Sequence, residues 1–154
     1  MSKNWAICIG INDYYNRIAK LQYAVRDAHA VRDFFLNEVK FERVFYFADD
    51  APPIETENGQ MRSSLTYANL VNFFGQLQNL FQRNVLTVGD NLWFFFSGHG
   101  QLHNGYNYLM PIDVAPDNLD KTALKLSDIT AILRNSGADN PKIRSPKGVN
   151  IDLL

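Results

Sequence analysis

Short apolar runs alternate with amphipathic stretches along much of the chain. The runs cover residues 5–11, 44–48 and 92–96, and each has the length of a strand. None alternates between apolar and polar positions, which is typical of parallel strands buried on both faces. Between the runs, apolar residues recur at helical spacing, which predicts amphipathic helices over about 21–35 and 70–81. The order of elements predicts an α/β fold with right-handed crossovers.

Turn-forming residues divide the part of the chain outside these elements. A third helix is predicted to begin at Ser127, because serine is a good N-cap. Asn104-Gly105 predicts a tight hairpin turn. Residues 49–63 and 114–125 are predicted to be loops. Residues 140–148 are basic and interrupted by prolines, so we expect no strand there.

Composition and charge exclude several classes of protein. The 154 residues suit one domain, and an apolar fraction of 46% suffices for one hydrophobic core. The net charge of −1, without a basic block, gives no indication of a nucleic-acid or anionic-membrane partner. With the single cysteine Cys8 no internal disulfide can form, which suits a reducing compartment. No signal peptide or spanning segment is recognisable, so a cytoplasmic protein is expected.

The strongest candidate for chemistry is Ser97-Gly98-His99-Gly100, directly after the third predicted strand. Reacting groups collect at the carboxyl ends of parallel strands, and two glycines allow a sharp turn with close approach of a substrate. A histidine at this place can move protons near neutral pH. A turn that merely contains a histidine is the alternative. A phosphate loop is less suitable, because its glycine and lysine pattern is missing.

Five blocks occur in order over residues 4–140: WAICIGINDYY, LQYAVRDAHAVRDFF, LWFFFSGHG, GYNYLMPIDV and LSDITAIL. In that order they resemble the first strand, the following helix, the histidine block, the segment after it and the next helix of caspase-like cysteine peptidases of the metacaspase or orthocaspase type. The resemblance implies a three-layer caspase-like fold, with a mostly parallel sheet flanked by helices. Residues 4–140 would be the N-terminal portion of a p20-type domain, incomplete at its C-terminus, and residues 141–154 a divergent tail.

The resemblance also implies roles for three residues. His99 matches the histidine that carries protons for a cysteine nucleophile, and the N–H of Gly100 matches a donor to the oxyanion. Asp27 matches an aspartate that binds the arginine or lysine before the cut, through charge-assisted hydrogen bonds. An ordinary helix aspartate, paired with Arg26 or Lys20, is the alternative for Asp27.

No cofactor or metal site is expected from the residues. Some relatives of this type bind calcium, but the single carboxylate of Asp113 forms no calcium cage, and capping a turn is its simpler role. His29 and His103 are expected at the surface, since the histidines and the cysteine lack metal-ligand spacing.

The family's nucleophile is missing from its expected place. In caspases the cysteine lies about 50 residues after the histidine, but Cys8 is the only cysteine and lies within the first strand, where burial leaves little thiolate. We therefore expect a caspase-like cysteine endopeptidase domain, cut before its cysteine and inactive alone. Its partners would be a peptide or protein substrate and possibly a caspase-like chain. The alternatives are a pseudoenzyme or fragment that binds peptide or partner, a gene remnant, or an unrelated α/β binding module.

Overall fold

The computed structural model describes residues 3–56, 59–83, 89–134 and 142–144. The strands are β1 (Asn4–Gly10), β2 (Arg43–Ala48), β3 (Ile54–Thr56), β4 (Gly59–Met61), β5 (Asn91–Ser97), β6 (Gly100–His103), β7 (Tyr106–Leu109), β8 (Leu124–Lys125) and β9 (Lys142–Arg144). The helices are α1 (Ala24–Asp33), continued by a π-helical turn (Phe34–Glu38), α2 (Tyr67–Gln82), α3 (Leu119–Thr122) and α4 (Leu126–Arg134).

The central sheet is parallel, with the strand order β2-β1-β5-β9. Strand β1 lies inside it, and Ile7 is paired with Phe45 on one side and Phe94 on the other. All three side chains are buried, because helices cover both faces of the sheet. The three strands predicted from apolar runs are confirmed, with ends that differ by one residue.

Two helical layers enclose this sheet. On one face α1 packs against small residues of β1, chiefly Ala6 and Cys8. On the other face α2 and α4 pack against Ile7 and Ile9 in the larger apolar core. The protein is therefore a three-layer α/β structure, as the sequence predicted.

The hairpin turn at Asn104-Gly105 is confirmed. Both residues have positive φ, 50° and 81°, as a two-residue turn between antiparallel strands requires. Strands β6 and β7 pair on either side of the turn, and β8 completes a small antiparallel sheet. This sheet directly follows the histidine motif and so holds the chain that leaves it.

Four local predictions were wrong. Residues 49–63 contain the β3–β4 hairpin, held by the buried ends Ile54 and Met61, and residues 114–125 contain α3 and β8. Helix α4 begins at Leu126, before the predicted cap. The tail also contributes a strand, because β9 fits between two prolines of the sequence and pairs with the edge of β5.

The chain has two pairs of adjacent phenylalanines at its helices, Phe34-Phe35 and Phe73-Phe74, and the two pairs differ in burial. Phe73 and Phe74 face the sheet and are buried. In the first pair, only Phe35 packs towards the sheet, whereas Phe34 is 53% exposed. A π-helical turn begins at Phe34 and changes the helical periodicity at this point. The side chains of residues 80–82 and all predictions for residues 135–141 and 145–154 lie outside the described residues.

Candidate active site

The carboxyl edge of the parallel sheet positions the predicted histidine. Beyond the end of β1, the N–H of Ile11 donates to the carbonyl oxygen of Ser97 at 2.9 Å, so β1 and β5 stay paired to their last residues. His99 follows two residues after Ser97 and is partly buried. The predicted place of His99, at the carboxyl end of a buried parallel strand, is what the structure has.

Three hydrogen bonds hold His99 at its backbone and its ring. Its N–H donates to the hydroxyl of Tyr14 at 2.8 Å, and its carbonyl oxygen accepts the N–H of Met110 at 3.0 Å. The ring atom Nε2 lies 2.7 Å from the carbonyl oxygen of Ala19. Because a carbonyl oxygen can only accept, this bond requires the proton on Nε2 and leaves the lone pair of the neutral ring on Nδ1.

The two glycines of the motif differ in their surroundings. A Cβ on Gly98 would come within 2.6 Å of the Tyr14 hydroxyl oxygen and 2.9 Å of Cζ of Phe96, so no side chain fits there. Gly100 is buried and begins β6, where it pairs with Leu109. The oxyanion role of the Gly100 N–H stays a prediction.

Asp27 lies in the first turn of α1, over the end of β1. The helix can approach β1 closely because Gly10 has no side chain. A Cβ on Gly10 would lie 2.6 Å from Cβ of Ala28. The Asp27 side chain is 37% exposed, and its Oδ1 lies 3.6 Å from Nη2 of Arg26. Pairing with Arg26 is thus present here, whereas Lys20 pairs with Asp13 at 3.1 Å. A role of Asp27 in binding substrate stays a prediction.

Sequence reasoning missed Asn12 and Asp49, which connect the loop after β1 to the start of α1 and to the end of β2. Oδ1 of Asn12 accepts the N–H of Val25 at 3.2 Å, which caps the helix that carries Asp27. Oδ2 of Asp49, just after β2, accepts the N–H groups of Asn12 and Asp13 at 3.2 and 3.3 Å. Partial burial raises the pKa of Asp49, and these two hydrogen bonds oppose the rise. Their positions directly after β1 and β2 were the available sequence signal.

The structure also places the remaining candidate residues, which are Asp113, Cys8, His29 and His103. Oδ1 of Asp113 accepts the N–H of Tyr67 at 2.8 Å and so caps α2. Cys8 is fully buried, and burial raises the pKa of its thiol to about 12. His29 is exposed and lies 3.2 Å from Asp33, and His103 is also exposed.

Within residues 3–56, 59–83, 89–134 and 142–144, no group of three or more His, Cys, Asp or Glu residues could hold a metal ion. The expectation that the protein has no metal site stays a prediction. No helix in these ranges has the length and apolar character needed to cross a membrane.

A comparison with known families identifies the family of the chain. Residues 4–124 match the family described as the metacaspase, peptidase C14 domain. The chain belongs to the metacaspase family. The predicted resemblance to this family is confirmed, and the matched range spans the positions of His99, Gly100 and Asp27, whose roles stay predictions. An unrelated α/β module is thereby excluded.

A comparison with solved structures shows a similar fold. The crystal structure of protein GSU0716 from Geobacter sulfurreducens superposes with a TM-score of 0.59 at 18% sequence identity. The alignment covers 93% of this chain and 48% of that one, so the metacaspase chain spans about half the length of the solved structure. At this identity the likeness concerns the fold alone. No curated protein sequence matches the chain.

Proposed function

We propose that this chain supplies the histidine-bearing part of a caspase-like cysteine endopeptidase that cuts after arginine or lysine. The observation that carries the proposal is the hydrogen bond between Nε2 of His99 and the carbonyl oxygen of Ala19, at the carboxyl edge of the sheet. It leaves Nδ1 able to take up a proton. Cys8 is too buried to act, so the nucleophile must come from outside these 154 residues.

The proposed reaction is peptide hydrolysis in two steps. In the first step His99 takes the proton of the cysteine thiol, the thiolate attacks the scissile carbonyl, and His99 returns the proton to the leaving amine. In the second step water attacks the thioester, and the thiol is regenerated with release of the carboxylate. The N–H of Gly100 would donate to the oxyanion in both steps. This chemistry is complete without a metal or a cofactor.

Substrate preference is assigned to Asp27. Its carboxylate is partly exposed in the first turn of α1, and its neighbour Arg26 lies at 3.6 Å, beyond hydrogen-bonding distance. A guanidinium or ammonium group of a substrate can therefore replace Arg26 as a partner and form a closer, charge-assisted bond. We also propose a cytoplasmic location, because Cys8, the single cysteine of these 154 residues, can form no internal disulfide and so needs no oxidising compartment.

A binding role without catalysis is the second candidate. It is favoured by the burial of Cys8, because the chain alone then holds a histidine site and a carboxylate but no nucleophile. Such a chain could bind a peptide or a caspase-like partner chain. The peptidase function and the binding function both require binding of arginine. They differ in whether a segment that carries a cysteine lies next to His99.

The shared step can be measured by calorimetric titration of the purified chain with a short peptide amide ending in arginine. Asp27→Asn should weaken binding at least about tenfold, as expected for loss of a hydrogen bond to a charged group. Asp128→Asn is a matched control, since Asp128 is also exposed in the first turn of a helix. Equal binding of a peptide ending in glutamate, or an unaffected Asp27→Asn variant, would contradict the proposed specificity.

The catalytic step requires the segment that carries the cysteine. The gene downstream of the codon for Leu154 should be read in all three frames for an Asp-x-Cys block, the context that the family resemblance implies for the nucleophilic cysteine. A protein extended by such a block should cleave an arginyl reporter, and His99→Ala should abolish cleavage while peptide binding is retained. If the extended protein is inactive, the binding role is the better account.

A further inference from the structure

Tyr14 touches both the backbone and the ring of His99. Its hydroxyl accepts the His99 N–H at 2.8 Å. Its ring lies edge-on to the imidazole, with centroids 5.0 Å apart and an angle of 64° between the planes. The Tyr14 side chain therefore restrains His99 at two separate points, the backbone N–H and the ring. The two residues lie 85 positions apart in the sequence.

Tyr14 is itself firmly held. Its ring packs against the large apolar core and also against the smaller cluster that contains Met110 and Val114. The next residue, Tyr15, donates its N–H to the carbonyl oxygen of Ile112 at 2.8 Å. Burial raises the pKa of Tyr14 above its usual range, so its hydroxyl stays neutral at physiological pH. The hydroxyl oxygen is thus a fixed, uncharged acceptor.

Gly98 allows the hydroxyl to come this close. Any Cβ at this position would collide with the Tyr14 oxygen at 2.6 Å. The absence of a side chain at Gly98 and the hydrogen bond to the His99 N–H are therefore two consequences of the same arrangement. The turn between β5 and β6 closes around the hydroxyl group of Tyr14.

We infer that Tyr14 is a positioning residue for His99. The hydroxyl fixes the backbone of the turn, and the ring restricts the imidazole to the orientation in which Nε2 reaches the carbonyl oxygen of Ala19. Proton transfer depends on the placement of the reacting nitrogen to within a fraction of an ångström, so a support of this kind is needed. The inference rests on the proposed function in taking His99 as the proton carrier.

The test is Tyr14→Phe in the nitrogen-15-labelled chain, followed by nuclear magnetic resonance. Phenylalanine keeps the ring and removes the acceptor, so the amide of His99 should exchange with solvent about tenfold faster, as for one lost hydrogen bond. The ring nitrogens of His99 should change from a state dominated by Nε2–H towards a mixture of tautomers. Tyr15→Phe is the matched control, because it makes the same change at a neighbouring exposed tyrosine.

His29 and His103 serve as internal references, since His29 contacts Asp33 and His103 contacts Asn104. A purely structural effect of Tyr14→Phe would lower the melting temperature without changing the tautomer of His99. Gly98→Ala should also speed amide exchange at His99 and change its ring tautomer. Its effect should be smaller in the Tyr14→Phe background, where the collision with the hydroxyl is gone.

Unchanged amide exchange and an unchanged tautomer of His99 in Tyr14→Phe would overturn the inference. This outcome is separate from failure of the proposed function. A wild-type chain that does not bind the arginyl peptide counts against the role of Asp27 and leaves the link between Tyr14 and His99 to be judged by its own measurement.

Discussion

The two faces of strand β1, inside the central sheet, carry side chains of different size. Towards α1, strand β1 presents Ala6 and Cys8 and ends in Gly10, so the helix approaches closely. Towards α2 and α4 it presents Ile7 and Ile9, among large aromatic residues. The large side chains bury much apolar area and stabilise the fold. The small ones contribute less to stability but set the position of the helix that carries the proposed specificity residue.

The largest effect is expected on the face with large side chains. Phe73 is buried between the rings of Phe45, Phe47 and Phe74. Phe73→Ala should lower the free energy of unfolding by about 3–5 kcal/mol. Val71→Ala, at a position of the same helix that is 45% exposed, should change it by less than about 0.5 kcal/mol. Urea denaturation measures both. A small loss for Phe73→Ala would show that this face packs loosely.

Cys8 tests whether the face with small side chains is closed to solvent. Burial raises the pKa of its thiol to about 12, so alkylation of the folded chain by iodoacetamide should be at least about a hundredfold slower than after unfolding in urea. Mass spectrometry follows the reaction. The pure chain should also not cleave an arginyl reporter. Cleavage that iodoacetamide abolishes would contradict the assignment of Cys8 to the core.

Gly10 links packing on this face to the site. A Cβ there would lie 2.7 Å from the carbonyl oxygen of Ala24, so Gly10→Ala should cost about 1–3 kcal/mol. It should also weaken arginyl-peptide binding, because α1 must move. Gly75→Ala is the control: its Cβ would meet nothing within 4 Å, and alanine should stabilise α2 by about 0.5–1 kcal/mol. Unchanged binding in Gly10→Ala would separate the helix position from specificity.

The smallest effect concerns Asp49, which joins the end of β2 to the loop after β1. Because its folded pKa is raised, its contribution to stability is fully present below the ordinary value of 3.8 and is lost as the pH rises through the folded pKa. Asp49→Asn keeps an acceptor oxygen and removes this loss. The variant should be at least as stable as wild type at pH 7, with a change within about 1 kcal/mol.

Thermal unfolding between pH 4 and pH 7 measures this difference, and Asp117→Asn in an exposed loop is the control. A variant that is less stable than wild type at pH 7 but equal to it at pH 4 would reverse the assigned sign.

The apolar pattern predicted the three strands of the sheet and its covering helices, because buried parallel strands are continuously apolar. The histidine motif was found for a similar reason, since it directly follows such a strand. Short elements were missed where the pattern is weak. The β3–β4 hairpin has only Ile54 and Met61 as buried ends, and β9 forms because the edge of β5 offers backbone partners.

Local sequence by itself determined the parallel sheet, the metacaspase motif around His99 and the burial of the only cysteine, because each depends on residues close together in the chain. The tertiary structure alone decided which groups hold His99. Tyr14 and Ala19 come from the loop after β1 and meet His99 across 85 and 80 residues of sequence. No local pattern specifies such contacts, since they arise only when the ends of two parallel strands are brought side by side.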